Sequence, residues 1–511
     1  MAEDWTAGYV TEIGYSWAYF PEINPLRVKI ALVCAGIAPP PIQTACELGF
    51  GQGLSLNLLA AGGEVEWHGN DFNPSHAAVA REMAGHSGAG AQLSDESFAE
   101  FRQRGDLPQF DYIALHGVWS WVSDQNRREI VDFIRAKLKV GGVCYVSYNV
   151  QPGWSGFIPL RNLMMEYLDR LSPSGRGISN RIGEAFDFAK KLIDTDPLFA
   201  KAAPGALARL EGAMPQDRSY LAHEFFNRDW HPMSFLDLGR ALDPAKLGFA
   251  CSANFFEHVS NMTMTAGQNE FINTIPDAML RQQLMDFMSN QLFRRDYWIR
   301  GARRLTGAEQ MEHFNDCHVV LARHVDDCSL KVKGPIGEAT LNEEIYRPLL
   351  DLLADNRVHS IGDIIRKQQS EKRTVASLLQ ALLVLMGDGQ IAPANGNPPG
   401  RARRQCDRLN KHIKRRSRDV DEIHFLASPV TGGGVPISRI NQLFVLGLEN
   451  KAGDADQLAR FVWQALSARN QRLVHDGKTL EGDEESLAEL RKRADVFLAK
   501  SRPVYAALGI Q

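Results

Sequence analysis

The chain reads as an α/β protein with a Rossmann-like core near its start and mostly helical sequence after it. Three observations predict this. Glu47-Leu48-Gly49-Phe50-Gly51-Gln52-Gly53 joins a short apolar run to one rich in Leu and Ala. An acid, Asp71, closes the next apolar run eighteen residues past the third glycine. Two more strand-like runs, Phe110 to His116 and Leu138 to Ser147, then follow in order.

Thr44 to Leu48 has the mostly apolar character of a buried parallel strand. Glycines at 49, 51 and 53 allow a sharp turn and close approach of a ligand. Leu54 to Ala61 suits a helix, whose first amides favour an anionic ligand group. The strand around Val65 to Gly69 leads to Asp71, placed where such folds grip ribose hydroxyls. A dinucleotide site calls for G-x-G-x-x-G, and here the spacing is G-x-G-x-G with Leu54 next. Glu47 suits a cofactor bearing an ammonium group better than one bearing phosphates. The pattern therefore predicts S-adenosylmethionine rather than NAD. Leu138 to Ser147 reads as a helix end, a Gly141-Gly142 turn and a strand.

At 511 residues the chain exceeds one core, and three or four domains are expected. With 44% hydrophobic residues, 23% charged residues and a net charge of −4, nothing pulls it globally towards nucleic acid or membrane. Seven cysteines without C-x-x-C spacing predict neither a disulfide framework nor a zinc site. The acidic start, Met1 to Trp5, lacks signal-peptide features, and Ile30 to Ala38 is too short to span a bilayer, so the cytoplasm is expected.

Residues 1–170 carry the cofactor pattern, with a helix from Pro25 to Gly36 ahead of the first strand. Residues 171–325 read as a helical middle domain, with helices at Ile182–Asp194, Ala206–Met214, Pro276–Leu292 and Tyr297–Leu305. Strands near Leu247 to Phe256 and Val319 to Ala322 are candidates to close the core sheet. Residues 326–395 read as winged-helix-like, with helices at Asn342–Ala354, Ser360–Lys367 and Val375–Met386 and a small wing at Gly389 to Ile391. The third helix is almost wholly apolar, which favours a structural or protein-docking module over a DNA reader. Residues 396–511 comprise a linker and a helical C-terminal region. Within it, Arg401 to Arg418 is densely basic, and the favoured reading is a solvated helix face paired with acids near Asp483 to Glu485.

Methyl transfer requires an acceptor lone pair aligned with the methyl and water excluded, above the carboxyl ends of the strands. His116, Trp119, Trp121, Tyr148 and Asn149 fall there. Trp119 is weighed evenly between site and core, and core is favoured for Trp121. The aromatic stretch Tyr9, Tyr15, Trp17, Tyr19 could fold over as a lid. His223-Glu224-Phe225-Phe226-Asn227 lacks the second histidine of a zinc-protease word, and no metal is expected.

Together, Glu47 to Gly53, Phe110 to Ile113 with His116-Gly117-Val118-Trp119-Ser120-Trp121-Val122, and Val146 to Asn149 with Pro152-Gly153-Trp154 resemble bacterial class I methyltransferases with a "methyltransferase regulatory domain". Tyr220 to Asn227 is similar to the start of that domain. The resemblance spans roughly residues 6–395. It implies a Rossmann-like class I methyltransferase core, a helical middle domain, a winged-helix-like domain and a helical C-terminal region. The family includes protein-lysine methyltransferases acting on bacterial outer-membrane proteins. Two departures, Phe50 for a common Cys and Asp71-Phe72-Asn73-Pro74 for the commoner D-L-S, bear on substrate identity rather than on cofactor binding.

The expected activity is S-adenosylmethionine-dependent methyl transfer to lysine side chains of a protein. Gly49, Gly51 and Gly53 would cradle the amino-acid end of the cofactor with Glu47 nearby. Asp71 and Phe72 would meet the ribose side and Asp95 or Ser97 the adenine. His116, Trp119 and Tyr15 would line the methyl-transfer pocket. The rivals are a small-molecule or surface-glycan methyltransferase, a non-catalytic binder of the same cofactor, and a nucleic-acid modifier. The expected partner is a protein substrate, with no membrane span; nucleic acid is disfavoured and a homodimer stays open.

Overall fold

The computed structural model describes residues 6, 8–11, 13–475 and 477–511. Its core is a seven-stranded sheet of β1 (Thr44–Leu48), β2 (Glu66–Asn70), β3 (Gln92–Ser94), β4 (Phe110–Leu115), β5 (Leu138–Asn149), β6 (Gly248–Ser252) and β7 (Phe293–Ile299). The spatial order is β3-β2-β1-β4-β5-β7-β6. The first five strands run parallel, and β7 is antiparallel to both β5 and β6. The order reverses beside β1, which puts a ligand crevice above the carboxyl ends of β1, β2 and β4.

Helices α1 (Pro25–Cys34), α2 (Leu54–Gly62), α3 (Pro74–Ser87), α4 (Phe98–Gln103) and α5 (Asp124–Lys137) flank the parallel strands. Their starts follow ordinary capping chemistry: Asn24 caps α1, Asn73 caps α3, and Ser97 with Glu100 forms a capping box on α4. The Gly141-Gly142 pair makes no separate turn. Gly141, at φ +82°, sits in an irregular stretch of the continuous strand β5.

Between β5 and β6 the chain leaves the sheet for α6 (Ile158–Leu171), α7 (Ile178–Ile193), α8 (Leu198–Ala202), α9 (Pro204–Ala213) and α10 (Arg218–Phe225). It then returns, so residues 248–299 belong to the sheet begun in residues 44–149. The helix expected over Tyr297–Leu305 is instead the second half of β7 followed by irregular chain. Its large apolar side chains are buried between sheet and helices: Tyr297, Trp298 and Ile299 are all 2% exposed or less. His318–Leu321 does not close the core sheet. It is the middle strand of a separate three-stranded antiparallel sheet with His359–Ser360 and Ile391–Ala394. Helices Glu343–Leu353, Ile361–Gln368 and Val375–Gly387 pack beside it, and the last buries seven residues.

The C-terminal region covers the core. All nine residues of α2 are buried, because the helix Gly400–Arg416 and the hairpin of Phe425–Ser428 with Gly433–Pro436 lie on its outer face. A Cβ on Gly62 would meet the Gly432 carbonyl carbon at 2.6 Å, so this approach requires glycine. The basic helix turns Ala402, Cys406, Leu409 and Ile413 inward and exposes Arg401, Arg404, Arg408, Lys411 and Arg415. Its ion pairs are Lys414 with Glu449 and Arg416 with Glu422. Arg472, outside that helix, is the residue that meets Asp483, so the expected partnership with Asp483 to Glu485 is corrected.

A buried polar cluster fixes β7. Arg294, 2% exposed, bonds Asp296 at 2.8 Å and Asp286 at 2.7 Å, while Tyr148 Oη donates to Asp296 at 2.9 Å. Removing the guanidinium would strand two carboxylates out of water. Arg294→Ala should therefore cost about 3–5 kcal/mol of stability in denaturant unfolding; a loss under about 1 kcal/mol would show that the cluster does not hold the strand.

Candidate active site

The crevice at the sheet's carboxyl edge is a cavity of about 170 Å³. β1 brings Glu47, β2 brings Asn70, and the turn after β2 brings Asp71 and Phe72. The turn after β4 brings His116, Gly117 and Val118. The N-terminal segment folds over it with Tyr9 and Tyr15, while Trp17 and Tyr19 pack against the C-terminal region instead.

The glycine bend is built by its neighbours. Gly49, Gly51 and Gly53 have φ of +73°, +58° and +71°. The Gly49 N–H donates to the Asn70 carbonyl at 2.8 Å, and the Gly51 N–H donates to Asp71 Oδ2 at 2.8 Å. A Cβ on Gly49 would strike Val118 Cγ2 at 2.5 Å, and one on Gly51 would press on the Tyr15 ring at 3.2 Å. Gly53 differs. It does not line the cavity; its Cβ would lie 2.4 Å from that of Ala80, so it serves the close packing of α2 on α3.

Glu47 is 2% exposed and its Oε2 has no hydrogen-bond partner. Burial, with the Asp71 charge nearby, pushes its carboxyl up to about 8. An orphaned acid facing a cavity is suited to a cation that brings its own donors. Asp71, also buried, takes the Asn73 N–H at 3.0 Å and lies 3.2 Å from His76 Nδ1 through Oδ1.

Two adenine candidates are repositioned. Asp95 points outward, 44% exposed, and pairs with Arg81 at 2.7 Å. Ser97 borders the cavity, but its hydroxyl is engaged with Glu100 in the α4 cap, at 2.8 Å. Phe98, not singled out from the sequence, stands beside it in the wall.

Of the two tryptophans, Trp119, weighed evenly between site and core, lies in the core, and Trp121, favoured for the core, borders the cavity. Trp119 is fully buried in the core beside β4 and β5, with Nε1 directed at Met233 Sδ at 3.1 Å. Trp121 lines the cavity, and its Nε1 donates to the Glu224 carbonyl at 3.2 Å. The short 3₁₀ turn Trp119–Trp121 sends the two rings into different apolar clusters, Trp119 with the strand core and Trp121 with the helical excursion. His116 stacks on Phe20 and shares a 2.8 Å hydrogen bond with Tyr145 Oη. Burial pushes its imidazole down to about 3, so it is neutral at ordinary pH and a poor proton acceptor.

Two family profiles match the chain: "Methyltransferase domain" over residues 45–142 and "Predicted methyltransferase regulatory domain" over residues 217–300. The Synechocystis sp. uncharacterized protein sll1526 is 35% identical over 512 residues, covering 99% of each chain. The chain belongs to the class I S-adenosylmethionine-dependent methyltransferases that carry a methyltransferase regulatory domain. Its cofactor is S-adenosylmethionine. The structure of PKMT2 from Rickettsia typhi in complex with AdoHcy has the same fold: TM-score 0.68, 16% identity, 97% of this chain and 99% of that one. A Rickettsia prowazekii protein, RP028, is 29% identical over 174 residues, which is 32% of this chain and 66% of its own.

In this methyltransferase the third glycine serves packing, which separates its substitution from those at the cavity. Gly53→Ala should cost about 1–3 kcal/mol through overpacking, seen as a lower melting temperature without any ligand. An unchanged melting temperature would contradict the assignment.

Proposed function

We propose that Glu47, Gly49, Gly51 and Asp71 hold the S-adenosylmethionine and that the methyl acceptor is a lysine side chain of a protein. The observation that carries the first part is the unpartnered Glu47 oxygen behind a side-chain-free bend. When bound, S-adenosylmethionine supplies an electrophilic methyl group on a sulfonium that departs as a neutral thioether. Glu47 receives the ammonium of the cofactor's amino-acid end. The backbone at Gly49 and Gly51 leaves room for that end, and Asp71 offers its remaining lone pairs to the ribose. Phe72, Phe98 and Val118 wall the base. Tyr15, His116 and Trp121 border the transfer side, where neutral aromatic surface excludes water.

For the acceptor, the support is a larger chamber of about 800 Å³ that adjoins the cavity. Helices α9 and α10 furnish part of its lining, so residues beyond the cofactor core shape the approach. An aromatic-lined entrance desolvates an amine and favours its reactive neutral form. No helix among the described residues is long and apolar enough to cross a membrane; a cytoplasmic location belongs to this reading.

Two measurements test it. Radiolabelled methyl transfer into host lysate should place label in protein, stable to base and abolished when lysines are blocked; label confined to glycan, lipid or nucleic acid would reject the lysine acceptor. Glu47, pushed up to about 8, must surrender its proton to receive the ammonium. Cofactor binding near pH 7 should therefore release a proton, so calorimetric heats should differ between buffers of unlike ionisation enthalpy. Glu47→Gln should abolish that difference and weaken binding by about tenfold or more. Buffer-independent heats in the parent would remove Glu47 from the role.

A further inference from the structure

The lysine reading leaves open which group receives the amine and takes its proton. His116 is too weak a base. A third, narrow space of about 40 Å³ lies at the junction of the two larger ones, sharing Tyr9, Tyr15, Gly117 and Trp121 with the cofactor cavity. It shares Tyr15, Trp121, Tyr220 and Glu224 with the outer chamber. Glu224 is the only carboxylate among the described residues that borders both the neck and the chamber.

We propose, resting on the lysine reading above, that Glu224 of the regulatory segment is the seat of the acceptor ammonium and the base that removes its proton. Four observations support it. Tyr220 and Glu224 are four residues apart on α10, hence on one face, and both border the neck. The Trp121 Nε1–H bond to the Glu224 carbonyl, at 3.2 Å, ties that helix to the turn after β4. No lysine or arginine among the described residues lies within ion-pair reach of the Glu224 carboxylate. Burial raises this carboxyl to about 7, while Asn149 and the Arg209 charge pull the other way. A group so poised exchanges a proton near neutral pH.

The cationic residues of the chamber stand elsewhere. Arg209 lies over the Trp154 ring at 4.1 Å and Arg295 is 3.5 Å from Glu22; both border the chamber and neither borders the neck. A lysine entering past them would lay its four-carbon stem along Trp154, Tyr15 and Trp121 and end at the carboxylate. The proton balance closes. The ammonium gives one proton to the Glu224 carboxylate, leaving a neutral amine and a carboxylic acid. The nitrogen lone pair then forms the N–C bond as the C–S bond breaks with its electron pair kept by sulfur. The acid returns its proton to solvent.

The test uses n-butylammonium, a lysine side-chain mimic, on the full chain with S-adenosylhomocysteine present, followed by tryptophan fluorescence. The parent should show saturable binding. Glu224→Gln should weaken it by about tenfold or more while leaving S-adenosylhomocysteine affinity unchanged. No saturable binding to the parent, or equal binding to a folded Glu224→Gln, would overturn the proposal. If the variant loses S-adenosylhomocysteine as well, the parent decides alone: isosteric n-butanol should compete poorly against n-butylammonium at an anionic seat, and equal competition would overturn it. The proposal and the reading beneath it fail separately. Label confined to a non-protein lysate fraction, with n-butylammonium binding intact, would discard the protein acceptor and keep the amine seat.

Discussion

The hydrogen bond from the Gly51 N–H to the Asp71 carboxylate is the constraint on which the site depends. It ties the bend after β1 to the end of β2, and the Gly49 N–H bond to Asn70 reinforces it. With the bend held open, no side chain covers Glu47, whose second oxygen is left without a donor. Two carboxylates then share one small cavity. Burial and the Asp71 charge make Glu47 harder to ionise, and together the two acids suit a ligand carrying positive charge. A pyrophosphate would meet repulsion there. The preference for a sulfonium amino acid over a dinucleotide follows from that electrostatic arrangement as much as from Leu54 standing where the dinucleotide motif has its last glycine.

The remainder of the chain serves this crevice in two ways. The C-terminal helix and hairpin seal the outer face of α2, which has no polar face to offer water. The excursion between β5 and β6 brings α9 and α10 round to the larger chamber, where Trp121 bonds to the backbone of α10. The segment matched by the regulatory profile also contains β6 and β7, which complete the cofactor sheet. A segment that supplies two strands of the central sheet and part of the wall of the larger chamber is part of the enzyme's architecture, not an appendage to it.

The core was legible because its signals are local. The apolar run of β1, the glycine spacing and Asp71 each act within a few residues of one another, and β1 lies over Thr44–Leu48 as read. The errors arise where tertiary context decides. Tyr297–Leu305 has helical spacing, yet pairing with β5 and β6 makes Phe293–Ile299 a strand. Val319 to Ala322 has strand character, but nothing local says which sheet it joins. Trp119 and Trp121 share one short turn and differ in which distant elements pack on them. Asp95 sits at the right distance along the chain and turns away because Arg81 on α3 meets it outside. Glu224 falls in an incomplete zinc-protease word, and its place at the neck depends on β5 and the N-terminal segment, which are distant in the chain. The apolar circumference of α2 was a readable sign of burial on all sides.

A crystal structure of the full chain with S-adenosylhomocysteine would test the central claim most directly. The account predicts the amino group of the ligand within hydrogen-bond distance of Glu47, its ribose hydroxyls on Asp71, and its sulfur facing the neck bordered by Tyr15 and Trp121. A ligand found outside this cavity, or seated in it with Glu47 still unpartnered, would contradict it.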